Sequence, residues 1–212
     1  MWKRVAAALA MLGPVALPQP ASAHPHVWVD TESAFLFDEQ GRVEAIRIVW
    51  KFDELYSAFA IQGADENRDG ETTEAELTHQ AGINREHLAE WDYFTNMKVG
   101  LGDAAYRDVT EFGGRNEDGI LVYWYVLPLD HPVDPRSAAI RFRTFDPSYY
   151  VAFDTDPEKT VALEGPAPDG CRAVGVAAGE RPENVSDDMV ARVTQDALWA
   201  ADFAPVVNLT CG

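Results

Sequence analysis

Hydrophobic and polar residues alternate along much of this chain, a pattern typical of β-strands that bury one face. The alternation is clearest over residues 27–37 and 43–50, which flank a turn-forming stretch at 38–41. These segments predict a β-hairpin. The apolar run 120–129 predicts a central strand. Shorter strands are predicted over 93–101, 106–112, 139–145, 151–153, 161–163, 171–176 and 206–211, with a polar loop over 113–119.

Helical spacing replaces the alternation in three places. A helix is predicted from Asp53, its N-cap, to about Gly63, a second over 73–91, and a third over 186–199. The predicted fold is therefore α+β: a mostly antiparallel, β-sandwich-like core with an inserted helix–loop–helix arm and a C-terminal helix. The arm occupies about residues 53–91 of a single β-rich domain that runs over 24–212.

The loop of this arm, Asp65–Glu76, reads D-E-N-R-D-G-E-T-T-E-A-E and matches the twelve-residue calcium loop of an EF-hand. Gly70 falls at position 6, where the chain turns sharply. Calcium takes six to eight oxygen ligands, and this spacing provides them from one short segment. The alternative is an acidic, solvated loop that matches by chance. The predicted calcium ligands are Asp65, Asn67, Asp69, Glu71 through its backbone carbonyl, Thr73 and Glu76.

Residues 1–23 have the pattern of a secretory signal peptide. Lys3 and Arg4 form a basic start, an apolar run follows, and residues 21–23 form an A-x-A cleavage site. The pattern predicts an exported protein whose mature chain begins at His24. The alternative is an uncleaved amphipathic N-terminus. No later stretch reaches the roughly 18 apolar residues of a membrane span, so the protein is not predicted to be membrane-embedded.

The chain is strongly acidic. Its formal charge is −18, and removal of the two cations Lys3 and Arg4 takes it to −20. Such a charge repels nucleic acid and anionic lipid and attracts cations, although solubility alone would also explain it.

Two cysteines, Cys171 and Cys211, are present. In an exported protein they are expected to form a disulfide. It would close a loop of about forty residues and stabilise the fold by roughly 3–4 kcal/mol. A soft-metal site made from the two thiols is the weaker alternative.

The N-terminal histidines are the candidate ligands for a transition metal. In an extended H-P-H segment, His24 and His26 lie on the same side, and cleavage adds the α-amine of His24. Imidazole suits Zn²⁺, Ni²⁺ and Cu²⁺. Two side chains are too few, and the segment could equally be a polar tail. Further candidate ligands, each also an ordinary cap or turn residue, are Asp53, Asp146 and His131.

Catalytic motifs are not evident. The sequence contains no G-x-S-x-G, H-E-x-x-H or phosphate-binding loop, and His79 and His87 are interpreted as surface residues. The chain is therefore not predicted to be an enzyme, and a copper-dependent oxidation at His24 has no other support.

Several motifs together resemble the DUF1007 family of bacterial periplasmic proteins. They are A-H-P-H-V-W-V-D, W-K-F-D-E-L-Y-S-A-F, the calcium-type loop, W-D-Y-F-T and F-D-P-S-Y-Y-V-A-F, and the likeness extends from His24 to the C-terminal cysteine. Family members are described as components of an uncharacterised ABC-type transport system, often beside nickel/cobalt or zinc transporter genes. The resemblance implies a membrane metal transporter as partner and marks His24, His26 and Asp146 as signature positions.

The leading hypothesis is therefore a periplasmic metal-binding accessory protein of a Ni/Co/Zn transport system with a structural calcium loop. The alternative is a calcium-stabilised β-sandwich that binds a small solute or a protein partner and no transition metal.

Overall fold

Strands account for most of the regular structure in the computed structural model, which describes residues 25–156, 161–180, 185 and 199–212. The strands are β1 (Val27–Phe37), β2 (Val43–Phe52), β3 (Thr95–Val99), β4 (Gly102–Asp103), β5 (Glu111–Glu117), β6 (Ile120–Val133), β7 (Ile140–Thr144), β8 (Val151–Asp154), β9 (Val161–Glu164), β10 (Arg172–Val176) and β11 (Val206–Thr210). The helices are α1 (Glu54–Gly63) and α2 (Glu74–Leu88), with 3₁₀ segments at Ala89–Phe94 and Ala200–Phe203.

These strands form two sheets. The first has the order β5-β6-β2-β1-β8, and β9 also pairs with β1, further along that strand. The second has the order β10-β11-β7-β3-β4. Every pairing is antiparallel except those of β1 with β8 and β9. An α+β fold built on mostly antiparallel sheets is therefore confirmed.

One face of the first sheet carries the core. Alternate residues of β2 point to this face, and Ile46, Ile48 and Trp50 are almost completely buried there. Phe35 of β1 meets Phe142 of β7 edge to face, with ring centroids 5.3 Å apart. Because Phe142 belongs to the second sheet, the two sheets pack against each other over this face.

The helical arm covers the part of the same face that β5 and β6 form. A Cβ at Gly114 of β5 would lie 2.5 Å from the carbonyl oxygen of Leu77, so only glycine allows α2 to approach this closely. The Gly114 N–H donates to Thr78 Oγ1 at 3.2 Å. The Tyr123 hydroxyl of β6 donates to Gln80 Oε1 at 2.9 Å. The arm and the second sheet thus lie side by side on the first sheet.

Asp53 holds the start of α1 to the edge of the hairpin. Its Oδ1 accepts the Tyr56 N–H at 2.9 Å as the N-cap, as predicted, and its Oδ2 accepts the Trp28 N–H at 3.0 Å. Further along α1, the buried Ser57 hydroxyl accepts the Leu121 N–H of β6 at 3.0 Å. The first helix is therefore fixed to β1 and β6 by polar bonds.

Residues 111–117 form strand β5, so the prediction of a polar loop over 113–119 was wrong. The strand is polar and contains two adjacent glycines, which hid its β-character. Gly113 faces the opposite side from Gly114, where a Cβ would meet the Trp124 indole at 2.6 Å. The absence of side chains here makes room for a helix on one face and a tryptophan on the other.

The second helix ends earlier than predicted. It stops at Leu88 rather than near Trp91, and Asp92, Tyr93 and Phe94 then take φ values of 49°, 52° and 52°. These three successive left-handed residues close the 3₁₀ segment that follows α2 and turn the chain into β3. The strand predicted over 106–112 is reduced to a bridge from Tyr106 to Leu129, before β5 begins.

The C-terminal helix predicted over 186–199 lies almost entirely outside the described residues. Among the described residues, no helix is both long and apolar enough to cross a membrane.

The predicted disulfide between Cys171 and Cys211 is confirmed. The two cysteines flank the paired strands β10 and β11, whose Arg172 and Thr210 are opposite each other. The bond therefore joins the outermost strand of the second sheet to the strand that reaches the C-terminus.

Replacing both cysteines by serine is expected to lower the free energy of unfolding by about 3–4 kcal/mol, because the cross-link restricts the unfolded chain. Urea denaturation of the Cys171→Ser/Cys211→Ser variant measures this change. Reduced wild-type protein is the matched control and should lose a similar amount. A loss under about 1 kcal/mol in both samples would contradict the stabilising role.

Asp53→Ala is expected to lower the free energy of unfolding by about 1–2 kcal/mol, because it removes both the helix cap and the acceptor for Trp28. Asp53→Asn is the matched control, since its amide oxygen still caps the helix, and it should lose less. Equal losses for the two variants in denaturant melts would show that the cap contributes nothing.

Candidate metal centre

The calcium-type loop connects α1 to α2 and has two left-handed residues. Arg68 and Gly70, at loop positions 4 and 6, have φ values of 59° and 88°. No atom lies within 4 Å of a Cβ placed on Gly70. The glycine is therefore required for its backbone conformation and not for space.

Side-chain oxygens in the first half of the loop point to its own backbone. Asp65 accepts the Asp69 N–H at 3.2 Å through Oδ1 and the Gly70 N–H at 2.9 Å through Oδ2. Asn67 Oδ1 accepts the same Asp69 N–H at 2.8 Å. Asp69 Oδ1 in turn accepts the Glu71 N–H at 2.9 Å. These bonds place the oxygens of predicted ligand positions 1 and 3 on one shared donor.

Glu76 closes the loop from the other end. Its Oε2 accepts the Thr73 N–H at 2.9 Å and the Thr73 hydroxyl at 2.8 Å, while Thr73 caps α2. Its Oε1 reaches back to the Glu66 N–H at 3.2 Å. The Thr73 backbone and hydroxyl bonds hold the pKa of the Glu76 carboxyl below its usual value. The position-12 carboxylate is therefore ionised and aimed at the start of the loop.

Two further contacts tie the loop to its helices. The Thr72 hydroxyl donates to the Ile61 carbonyl of α1 at 2.8 Å, and His79 Nδ1 of α2 lies 2.5 Å from Glu66 Oε1. His79 is exposed, as predicted, but its loop partner was not foreseen. A pair thirteen residues apart on either side of a turn follows no sequence periodicity, so only the folded loop shows it.

The structure places His26 on the surface just before β1. Its backbone N–H donates to the Tyr150 carbonyl at 2.8 Å, and its ring centroid is 4.7 Å from that of Tyr150. The other predicted N-terminal ligand, His24, lies outside the described residues. His26 thus lies beside the turn before β8.

Asp146 is buried in that same turn and is 4% exposed. Its Oδ1 accepts the Ser148 N–H at 2.8 Å and its Oδ2 accepts the Val151 N–H at 2.9 Å. Both oxygens therefore stabilise the turn that leads into β8 and presents Tyr150 to His26.

The remaining candidates occupy separate environments. Asp53 caps α1 and receives Trp28, as described above, whereas the His131 side chain is 90% exposed and lies 3.3 Å from Asp130. Within residues 25–156, 161–180, 185 and 199–212, no group of three or more His, Cys, Asp or Glu side chains is gathered to hold a metal ion. Both cysteines are in the disulfide.

The ligand atoms of the loop match those of a calcium site. The loop presents carboxylate, amide and hydroxyl oxygens, the ligand type of hard cations. Each carboxylate oxygen that accepts one hydrogen bond keeps a second lone-pair site. The loop residues thus fit calcium by chemistry and backbone conformation, whereas only His26 represents the histidine pair in the described structure.

Comparison with known proteins places the chain in a family. Over 133 aligned residues it is 28% identical to an uncharacterized protein of Haemophilus influenzae, and the alignment covers 61% of this chain and 62% of that relative. The aligned part thus spans less than two thirds of the relative. The family described as "Protein of unknown function (DUF1007)" matches residues 8–211. Since this match covers nearly the whole sequence, the chain belongs to the DUF1007 family.

Proposed function

We propose that this protein is an exported, periplasmic metal-binding accessory protein in which Asp65–Glu76 is an EF-hand-type loop for a structural Ca²⁺. Its N-terminal histidines serve a transition-metal (Ni/Co/Zn) transport system. The observation that carries the calcium part is the closure of the loop, in which the Glu76 carboxylate reaches the backbone at Glu66.

The calcium ligands are Asp65, Asn67, Asp69 and Glu76 through side chains, Glu71 through its carbonyl, and Thr73 directly or through water. When bound, the ion supplies positive charge to a loop whose twelve residues include six carboxylates. Glu66 and Glu74, beside these ligands, add to the local negative charge. A divalent cation therefore relieves repulsion between groups that the backbone keeps together.

A structural role suits this ion better than a signalling role. Calcium modules of extracellular type bind at about 10⁻⁴–10⁻³ M, which suits permanent occupancy where calcium is plentiful. The loop connects two helices that are already fixed to the first sheet, through Gly114 to α2 and through Leu121 to α1. Because the Gly114 contact is at Leu77 and Thr78, directly after Glu76, the ion stabilises the arm next to its contact with β5.

The transition-metal part rests on the N-terminus and on the family. His26 is exposed, and its ring lies beside that of Tyr150. In the mature chain, His24 adds a second imidazole and the α-amine, a ligand set for Zn²⁺, Ni²⁺ or Cu²⁺. The partner is a membrane metal transporter, which provides the remaining ligands when the metal is passed to it. A disulfide is compatible with the oxidising periplasm.

One observation favours the alternative, a calcium-stabilised β-sandwich that binds a small solute. The second sheet carries a cleft of about 510 Å³ on the face turned away from the core. This volume lies within the usual range for small-molecule sites, about 300–1,000 Å³.

Calcium is expected to raise the melting temperature of the wild-type protein. For a dissociation constant of about 10⁻⁴ M, 10 mM Ca²⁺ would add about 2.7 kcal/mol to the free energy of unfolding. Glu76→Gln should weaken binding roughly tenfold or more, because it removes the charge of the bidentate ligand. Glu74→Gln, in the same helical turn, is the matched control. Unchanged calcium affinity in Glu76→Gln, measured by calorimetry, would show that the loop is not a calcium site.

The N-terminal histidines are tested by titrating the mature protein with Ni²⁺, Zn²⁺ and Cu²⁺. The His24→Ala/His26→Ala variant should bind at least about tenfold more weakly, because it removes both imidazoles. His87→Ala, an exposed histidine of α2, is the matched control. A variant with one extra residue before His24 isolates the α-amine. Wild-type affinity in the double variant would exclude the N-terminal site.

A further inference from the structure

We propose that the outer face of the second sheet holds a binding site for a small multivalent anion, with at least two negative charges on phosphate or carboxylate groups. The site is the cleft of about 510 Å³, and this inference is independent of the proposed metal sites. The polar side chains that line it are Asn96, Lys98, Arg141, Arg143, Asp202 and Asn208.

The strand register places five hydrogen-bond donors in two rows. Arg141 of β7 has Lys98 of β3 opposite it on one side and Asn208 of β11 opposite it on the other. Two residues further along β7, Arg143 has Asn96 opposite it. Residues two apart on a strand share a face, so all five point to the outside. The buried Phe142 between the arginines points to the core, where it meets Phe35.

The charge of this cleft is opposite to that of the chain. The protein has 35 acidic residues against 17 lysines and arginines. Among the described residues, the cleft lining nevertheless contains three cations and one carboxylate, that of Asp202, and Asp103 pairs with Lys98 from β4. An excess of two positive charges in one concave surface focuses a field that attracts a dianion. The negative charge on the rest of the protein weakens this attraction at long range. Discrimination between ligands therefore depends on the contacts that they make inside the cleft.

Lys98 and Arg141 form a like-charge pair at the centre of the cleft. Like charges directly opposite each other on antiparallel strands destabilise the pairing, and Lys98 and Arg141 occupy such positions. Structural partners explain two of the three cations: Lys98 is paired with Asp103 of β4, and Arg143 Nη1 donates to the Ala201 carbonyl at 2.8 Å. Arg141 is exposed and has no ion-pair or hydrogen-bond partner among the described residues. Its guanidinium is therefore available to a ligand.

The chemistry of these donors defines the ligand class. An arginine fork binds the two oxygens of a carboxylate or phosphate in parallel, and a lysine ammonium adds a point charge. The Asn208 amide lies opposite Arg141 and the Asn96 amide lies opposite Arg143. Each amide provides both donors and an acceptor. Such a set suits a compact ligand with two or more anionic groups rather than a single carboxylate.

Calorimetric titration of the full mature protein with pyrophosphate, citrate and acetate tests the site. The buffer is metal-free, so that neither chelating probe acts by removing calcium. We expect saturable one-site binding of pyrophosphate or citrate, at least about tenfold tighter than any binding of acetate. Tighter binding of pyrophosphate assigns a phosphate-bearing ligand, and tighter binding of citrate assigns a polycarboxylate.

Lys98→Gln and Arg141→Gln should each weaken the tighter probe about tenfold. Since the Arg141 side chain makes no ion pair or hydrogen bond among the described residues, its variant should melt at or slightly above the wild-type temperature. Arg115→Gln is the matched control, an arginine on the other sheet that is paired with Glu117, and it should bind as wild type does. The site is overturned if neither probe binds more tightly than acetate, or if Arg141→Gln keeps wild-type affinity.

Discussion

The inner face of the first sheet is the constraint on which the rest of the structure depends, since two different elements must cover it. Trp50 lies at the junction. Its ring centroid is 5.5 Å from Tyr125 in the first sheet, 6.2 Å from Phe94 in the segment that leads to the second sheet, and 5.3 Å from Phe153 of β8. Aromatic pairs at these separations add to the energy of burial. The helical arm and the second sheet are therefore packed beside a shared cluster.

The helical arm and the second sheet, which cover this face, differ in the surfaces that they expose. The arm is held close by Gly114, whose missing side chain lets the backbone of α2 lie on β5, and most residues of the adjoining loop are exposed. The loop could therefore carry an ion without disturbing the core. The second sheet buries its inner face and leaves its outer face free for Lys98, Arg141 and Arg143. A calcium ion bound in the loop would thus act on the arm, whereas an anion bound in the cleft would act on the second sheet.

Sequence patterns predicted the structural features that depend on residues close together in the chain. Alternation predicted β1 and β2, the apolar run predicted most of β6, the loop spacing predicted a turn that the left-handed Gly70 makes, and the cysteine count predicted the disulfide. Strand β5 was missed because its two glycines carry no side chains to alternate. The cleft was missed because β3, β7 and β11 are distant in sequence and become neighbours only in the sheet. Features that need register or a close backbone approach are set by tertiary packing.

The central claim is that the Asp65–Glu76 loop holds a calcium ion that stabilises the arm. Anomalous diffraction from crystals of the mature protein grown with Ca²⁺ tests it most directly, because it locates the ion together with its ligands. The account predicts one calcium peak inside the loop, with oxygens of Asp65, Asp69 and Glu76 at about 2.3–2.6 Å. An ordered loop without a peak at saturating Ca²⁺ would contradict it.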